Sequence, residues 1–250
     1  MPAGNLIQYA HDRGITTLTL DSPANRNALS RALVGELTER LRRADKDSEV
    51  RAVVLGHTGT TFCAGADLRD PPDPDALVGL LRQIVELGKP VVARVDGHVR
   101  AGGLGLVGAC DIAAASATSS FAFTEVRIGV APAVISMPLL PRVDPRAVAR
   151  YYLTGERFDA AEAARTGLVT VAGPQGRAVD DVLAPVLDGL RRSSPQALAE
   201  TKKLLTVKVL QAFDRDAPAL TALSERLFGS SQAHEGMTAF LERRDPAWVL

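Results

Sequence analysis

Three short stretches combine residue types that suit proton transfer beside a developing negative charge. The first is Thr61-Phe62-Cys63-Ala64-Gly65-Ala66-Asp67-Leu68. Its small residues let a ligand approach the backbone, where peptide N–H groups can donate. The second is Val95-Asp96-Gly97-His98-Val99-Arg100-Ala101-Gly102-Gly103-Leu104-Gly105-Leu106, strand residues giving way to a loop and a glycine-rich helix start. The free N–H groups and dipole of a helix N-terminus favour an anion. The third, Phe121 to Pro132, sets Glu125 between apolar segments. A carboxyl group desolvated there would have a raised pKa, which suits proton transfer near neutral pH. Taken singly, each stretch also reads as ordinary structure: a tight turn, a closely packed helix, a surface glutamate paired with Arg127.

Other chemistries fit less well. The glycine pattern lacks the Gly-Lys-Ser/Thr of a phosphate-binding loop. It also lacks the spacing and trailing acidic residue of a dinucleotide fingerprint. His57, His98 and Asp67 have no second ligand at metal spacing, so no metal is expected. Cys63 and Cys110 are the only cysteines. They make neither a disulfide framework nor a zinc pattern, and they suit a reducing compartment.

The elements that must position these stretches follow from patterning. A chain of 250 residues can bury a substantial core. Formal net charge is zero, from 29 basic and 29 acidic residues without a basic block, which argues against nucleic acid. The longest apolar stretches are too short for a membrane span. Met1 to Thr17 lacks a signal-peptide pattern, so a cytoplasmic location is expected. Leu6–Tyr9 and Ile15–Leu20 read as strands around a turn at Asp12-Arg13-Gly14. Ser30 caps a helix with Leu33, Leu37 and Leu41 on its apolar face. Val50–Leu55 is a strand covered on both faces, followed by a helix over Pro72–Leu87 and strands at Pro90–Val95 and Asp111–Ala115. Strand and helix alternating at this spacing predict an α/β fold with parallel crossovers. From about residue 144 the pattern turns helical. Asp144-Pro145, Asp159-Ala160-Ala161-Glu162 and Ser194-Pro195 are helix starts; Gly155 and Gly167 are stops. Leu168–Val171 is a last short strand. Residues 1–193 form the expected core and 194–250 a helical tail, whose apolar face must dock on the body or on another subunit.

In order and spacing, these segments resemble the crotonase (enoyl-CoA hydratase/isomerase) superfamily over nearly the whole chain. Cys110-Asp111-Ile112, Gly155 to Ala163 with Gly167-Leu168-Val169, Ser194 to Leu198 and Glu235 to Arg244 extend the likeness. Thr124 to Ser136 is most similar to the methylglutaconyl-CoA and carboxygeranoyl-CoA hydratase branch. The resemblance implies a crotonase-like spiral of ββα repeats with a C-terminal helical trimerisation region, assembled as a homotrimer or as a hexamer of paired trimers. It implies an acyl-CoA thioester substrate that brings its own coenzyme A, with no separate cofactor. It assigns an oxyanion hole to the N–H groups of Ala66 and Gly102, and proton transfer to Glu125. CoA and acyl binding fall on Ala64, Ala66, Asp67, Leu68, Gly102, Pro132 and Ala133. Phe240 and Arg243 match a tail that, in the family, reaches a neighbouring subunit's CoA. One departure stands out: where the two-carboxylate hydratases carry their first glutamate, this chain has Gly105. The implied reaction is addition of water to a 2-enoyl-CoA, branched or carboxylated acyl groups included. The alternatives are double-bond isomerisation by a single glutamate and non-catalytic acyl-CoA binding. Substrates of the similar branch carry a distal carboxylate; Arg100 and Arg127 lie nearby in sequence and read as surface arginines.

Overall fold

The structure, a computed structural model, describes residues 5 to 250; the first four residues of the Met1–Thr17 stretch lie outside it. Strands β1 (Ile7–Asp12) and β2 (Ile15–Leu20) form an antiparallel hairpin. Helix α1 (Arg31–Lys46) follows, its first turn capped by the Ser30 hydroxyl, which accepts from Leu33 N at 3.2 Å. The next two turns each give a long strand, a three-residue strand and a helix. They are β3 (Ala52–His57), β4 (Thr61–Cys63) and α2 (Pro74–Glu86), then β5 (Val91–Val95), β6 (His98–Arg100) and α3 (Gly102–Ala109). A further turn supplies β7 (Ile112–Ala115), β8 (Ser120–Ala122), a short 3-10 turn at Glu125–Ile128 and α4 (Ser136–Leu139).

Each repeat thus gives one strand to each of two sheets. The larger has the order β1-β2-β3-β5-β7-β10, parallel from β2 onward. The smaller runs β4-β6-β8-β9. Here β9 is Phe158–Asp159 and β10 is Val171–Ala172. Every residue of β3 is buried, as its continuous apolar run predicts. This is the ββα spiral expected from the resemblance.

Five local expectations need correction. Thr61–Cys63 and His98–Arg100, read as loop, are strands, because each pairs in register with a neighbouring turn of the spiral. The last strand begins at Val171 rather than Leu168. The N–H groups of Leu168 and Val169 are tied to Ala163 O at the end of α6 (Ala160–Arg165), so the chain cannot extend until later. Ser194 occupies the N-cap position of α8 (Pro195–Phe228), but its side chain makes no capping bond. Of the Asp159/Glu162 capping box only half forms. Asp159 accepts from Glu162 N at 2.8 Å, while the Glu162 carboxylate goes to Tyr151 and Arg165.

Between these, α5 (Pro145–Thr154) is capped by Asp144 and stopped by Gly155 in the left-handed region. Helix α7 (Val179–Arg192) covers the second face of the large sheet through Val179, Leu183 and Leu190. The boundary at 193–194 falls between α7 and α8. Helix α8 sends Val209 and Phe213 into the main core and α9 (Ser231–Glu242) packs on the Glu125–Ile128 turn. That last contact is close. A side chain at Gly236 would bring Cβ within 2.6 Å of the Ile128 carbonyl carbon, and one at Gly129 within 2.7 Å of Gln232. On α8, Leu204 and Leu205 remain 78% and 73% exposed in the single chain. Among the described residues no helix is long and apolar enough to cross a membrane.

Candidate active site

The first of the two expected backbone donors, Ala66, is positioned by a clamp from the 22–30 loop. Asn27, fully buried, donates to the carbonyls of Thr58 and Thr61 and accepts from Ser22 N, pinning the 22–30 loop beside β4. Arg26 O then receives Ala64 N, and Leu29 brackets the next peptide: its N–H donates to Gly65 O and its carbonyl accepts from Asp67 N. In this bridge Ala66 is the residue whose N–H faces away from Leu29. Gly65 adopts φ +94°, and a Cβ there would stand 2.8 Å from Ala101 Cβ, so only glycine permits the turn.

Gly102 opens α3, where the first N–H groups have no partner within the helix. An ideal Cβ on Gly102 would lie 3.7 Å from Ala66 N, so the two residues expected to donate lie side by side. Ala101, just before, is held at φ +45°, ψ −123°, a region that disfavours a Cβ. Strain of this kind typically costs about 1–3 kcal/mol and clusters at functional sites. Ala101 carries no sequence signal of its own; the strain is imposed by Ala101 N bonding to Ala122 O while Gly65 packs against its methyl.

Glu125 begins the 3-10 turn after β8. It is 8% exposed, and among the described residues its Oε2 has no hydrogen-bond partner. Burial pushes its pKa up to about 7, offset only by a bond to its own backbone. Ala64, Ala66, Asp67, Leu68, Gly102, Glu125, Pro132, Ala133 and Phe240 all line one cleft of about 1010 Å³. Asp67 is held there by Asn25 Nδ2 at 2.7 Å and itself accepts from Arg69 N.

One expected member stands apart. Arg243 is not in the cleft wall: it sits at φ +58° just past the end of α9, a reversal that brings Arg244 into the wall instead. Arg244 is paired with Glu235 and Glu242. Phe240, on the tail, borders the cleft of its own chain. Gly105 is not in the wall either. Its missing side chain leaves no void, because Ile135 fills the space: a Cβ at 105 would meet Ile135 Cγ2 at 2.6 Å and Leu81 Cδ1 at 3.3 Å. Ile135 lies in the cleft wall, and sequence reasoning passed over it.

His57 is a structural histidine, accepting from Asp96 N at 3.1 Å. His98 bonds Ser120 and lies outside the cleft wall. The Cys63 thiol is fully buried, which pushes its pKa up to about 12. Among the described residues no cluster of His, Cys, Asp and Glu could hold a metal.

Comparison with known proteins agrees with this architecture. A family model described as enoyl-CoA hydratase/isomerase matches residues 10–249. The chain is 52% identical to an enoyl-CoA hydratase of Mycobacterium avium of known structure, with a TM-score of 0.91, covering 99% of this chain and 100% of that one. It is 31% identical to the (E)-benzylidenesuccinyl-CoA hydratase of Thauera aromatica, over 94% of this chain and 95% of the relative. It is 29% identical to the 2,3-dehydroadipyl-CoA hydratase of Escherichia coli, over 93% and 94%. The chain belongs to the enoyl-CoA hydratase/isomerase family, the crotonase superfamily, and an acyl-CoA thioester is the substrate class of that family.

Proposed function

We propose that this protein adds water across the 2,3 double bond of an enoyl-CoA whose acyl group is branched or carries a carboxylate. The observation that carries the reading is the orphaned, buried Glu125 carboxyl in the same cleft as Ala66 and Gly102, the two side-by-side residues expected to donate. The thioester oxygen would accept from both N–H groups, which gain strength as it becomes an enolate oxygen. Ionised Glu125 would take a proton from water as the water oxygen bonds to C3. It would then pass that proton to C2, so the carboxylate is regenerated and the product gains one water. A pKa of about 7 makes both protonation states accessible at neutral pH. The names of the benzylidenesuccinyl- and 2,3-dehydroadipyl-CoA hydratases support an acyl group derived from a dicarboxylic acid. Coenzyme A enters as part of the substrate, and we assign its binding to the Ala64–Leu68 side of the cleft.

A second reading is favoured by one observation. With Ile135 filling the space beside Gly105, Glu125 is the only carboxylate at a matched position. One glutamate suffices to move a proton between C2 and C4, as an isomerase does. Incubation with 2-enoyl-CoA and, separately, 3-enoyl-CoA, read by mass spectrometry, decides between them: hydration adds the mass of water, isomerisation leaves mass unchanged. Inertness toward both would favour acyl-CoA binding without catalysis. The exposed Leu204 and Leu205 support a trimeric assembly, or trimers paired into hexamers, which sedimentation would test. A cytoplasmic setting fits the two free thiols.

A further inference from the structure

Six arginines line the cleft besides Arg244, and they fall into two groups. Arg26, Arg31 and Arg69 flank the Ala64–Leu68 segment, through the Arg26–Ala64 backbone bond and the Leu29 clamp. Arg100, Arg127 and Arg157 lie on the other side of the two donors, toward the Glu125 turn. In this second group none enters an ion pair among the described residues.

Arg127 has a structural explanation. Its Nε donates to Thr154 O at 3.1 Å, where a cation suits the C-terminus of α5. Arg100 is held by neutral acceptors alone, and among the described residues the Arg157 guanidinium enters neither a hydrogen bond nor an ion pair. The small sheet places them together: Arg100 on β6 pairs with Ala122 on β8, and Phe121 pairs with Phe158, so Arg157 flanks Ala122 from the opposite side. Two strand spacings put their backbones roughly 10 Å apart, within reach of a shared ligand on long side chains. Val99 and Phe158 point into the core, so both arginines face outward. The Arg100 guanidinium is fixed by Val99 O, Ser120 O and Ser120 Oγ, all neutral acceptors. Burial first, and the charge of Arg157 second, pull its pKa down to about 10. Nearby carboxylates are committed elsewhere: Glu156 to Arg150 at 2.7 Å, Asp159 to the cap of α6. Two like charges are therefore held together beside a cleft with no counter-ion among the described residues.

We propose that Arg100 and Arg157 form an anion subsite that receives the free carboxylate of a dicarboxylic acyl-CoA bound with its thioester at Ala66 and Gly102. The inference rests on the acyl-CoA reading of the cleft and names the residues that would set its acyl selectivity. A planar carboxylate can accept paired N–H bonds from each guanidinium.

Saturated ligands test the subsite without turnover, since they offer no double bond. Calorimetric titration with glutaryl-CoA and with pentanoyl-CoA compares equal chain lengths with and without the terminal carboxylate. In the unaltered protein glutaryl-CoA should bind roughly tenfold or more tighter, the order expected of charged hydrogen bonds. Arg157→Gln, at an exposed position, and the double variant Arg100→Gln/Arg157→Gln should bring that ratio toward one. If the double variant does not fold, Arg157→Gln alone decides. A ratio near one in the unaltered protein overturns the subsite. So does an unchanged ratio in the variants. A loss shared equally by both ligands would assign these arginines to the CoA phosphates instead. The reaction itself is read separately, by water addition to the matching 2-enoyl-CoAs. A preference for glutaryl-CoA without hydration would sink the hydratase reading alone; hydration without preference would sink only the subsite.

Discussion

Two buried ionisable groups in this protein are handled in opposite ways. Lys202 of α8, 4% exposed, is surrounded by partners: Asp111 Oδ2 at 2.8 Å, Ile84 O at 2.8 Å and Lys89 O at 3.1 Å. Asp111 in turn accepts from Val91 N at 2.8 Å. Glu125 has a similar degree of burial, yet among the described residues its Oε2 has no hydrogen-bond partner. A buried charge with a complete set of partners ties elements together. Here it fastens the tail helix to the ends of α2 and the β5 and β7 strands. A buried carboxyl left unpartnered costs stability and is kept where a reaction needs a movable proton. Burial alone does not separate structure from chemistry; the partner count does.

The contrast can be broken at its structural end first, where the largest effect is expected. Lys202→Met removes the cation and leaves Asp111 buried without its ion partner. Breaking a buried pair this way typically costs about 3–5 kcal/mol. Denaturant unfolding should register that loss, while turnover per folded molecule stays within about twofold of the starting value, since nothing at Lys202 borders the cleft. A loss below about 1 kcal/mol would mean that the pair is not what holds α8 in place.

At Glu125 the expected pattern is reversed. Glu125→Gln keeps the shape and removes the base, so kcat should fall roughly 100-fold or more with acyl-CoA affinity largely kept. Stability should move the other way, and only over part of the pH range. In the unfolded chain the carboxyl ionises near its ordinary value of 4.5; in the folded chain burial delays this to about 7. The native state is therefore disfavoured progressively as pH rises from 4.5 to 7, by on the order of 3 kcal/mol in full. The glutamine variant escapes that penalty. It should be more stable than the unaltered protein at about pH 8 and indistinguishable from it at about pH 4. An equal difference at both pH values would contradict a raised pKa.

Much of this arrangement can be read in the sequence, but unevenly. Side chains with a local job are legible: Ser30, Asp144 and Asp159 cap the helices that follow them, and the apolar run of β3 announces double burial. The small residues around Gly65 and Gly102 mark a backbone approach, and Glu125 stands out as an acid among apolar residues. What is hidden is set by distant contacts. Strands β4 and β6 are too short for alternation to show, and exist because neighbouring turns of the spiral pair with them. The strain at Ala101 comes from Ala122 and Gly65, not from its own side chain. Arg243 and Arg244 are adjacent in a basic pair. Only the left-handed turn at Arg243 decides that the second one reaches the cleft wall.

Ile135 is the clearest case of such hidden information, and it changes what a second carboxylate at position 105 would do. From sequence, Gly105→Glu restores a glutamate to an empty place. In the structure that place is occupied, with Ile135 Cγ2 and Cβ at 2.6 and 3.0 Å from where the new Cβ must go. Ile135 is β-branched and 3% exposed, so it cannot swing aside cheaply. Gly105→Glu alone should therefore lose about 1–3 kcal/mol to overpacking and gain no activity on crotonyl-CoA. Pairing it with Ile135→Gly removes the two nearest contacting atoms, after which Leu81 Cδ1, a flexible methyl at 3.3 Å, is the next to adjust. The double variant should recover part of the lost stability and, alone of the two, hydrate crotonyl-CoA faster than the unaltered protein. The gain is bounded by repulsion, because a second carboxylate near Glu125 would raise one of the two pKa values further. Stability recovered without faster hydration would show that the cleft around Glu125, rather than the count of carboxylates, sets the choice of substrate. A single variant as stable as the unaltered protein would mean that Ile135 yields, and that the contrast between filled and vacant positions in this site has been drawn too sharply.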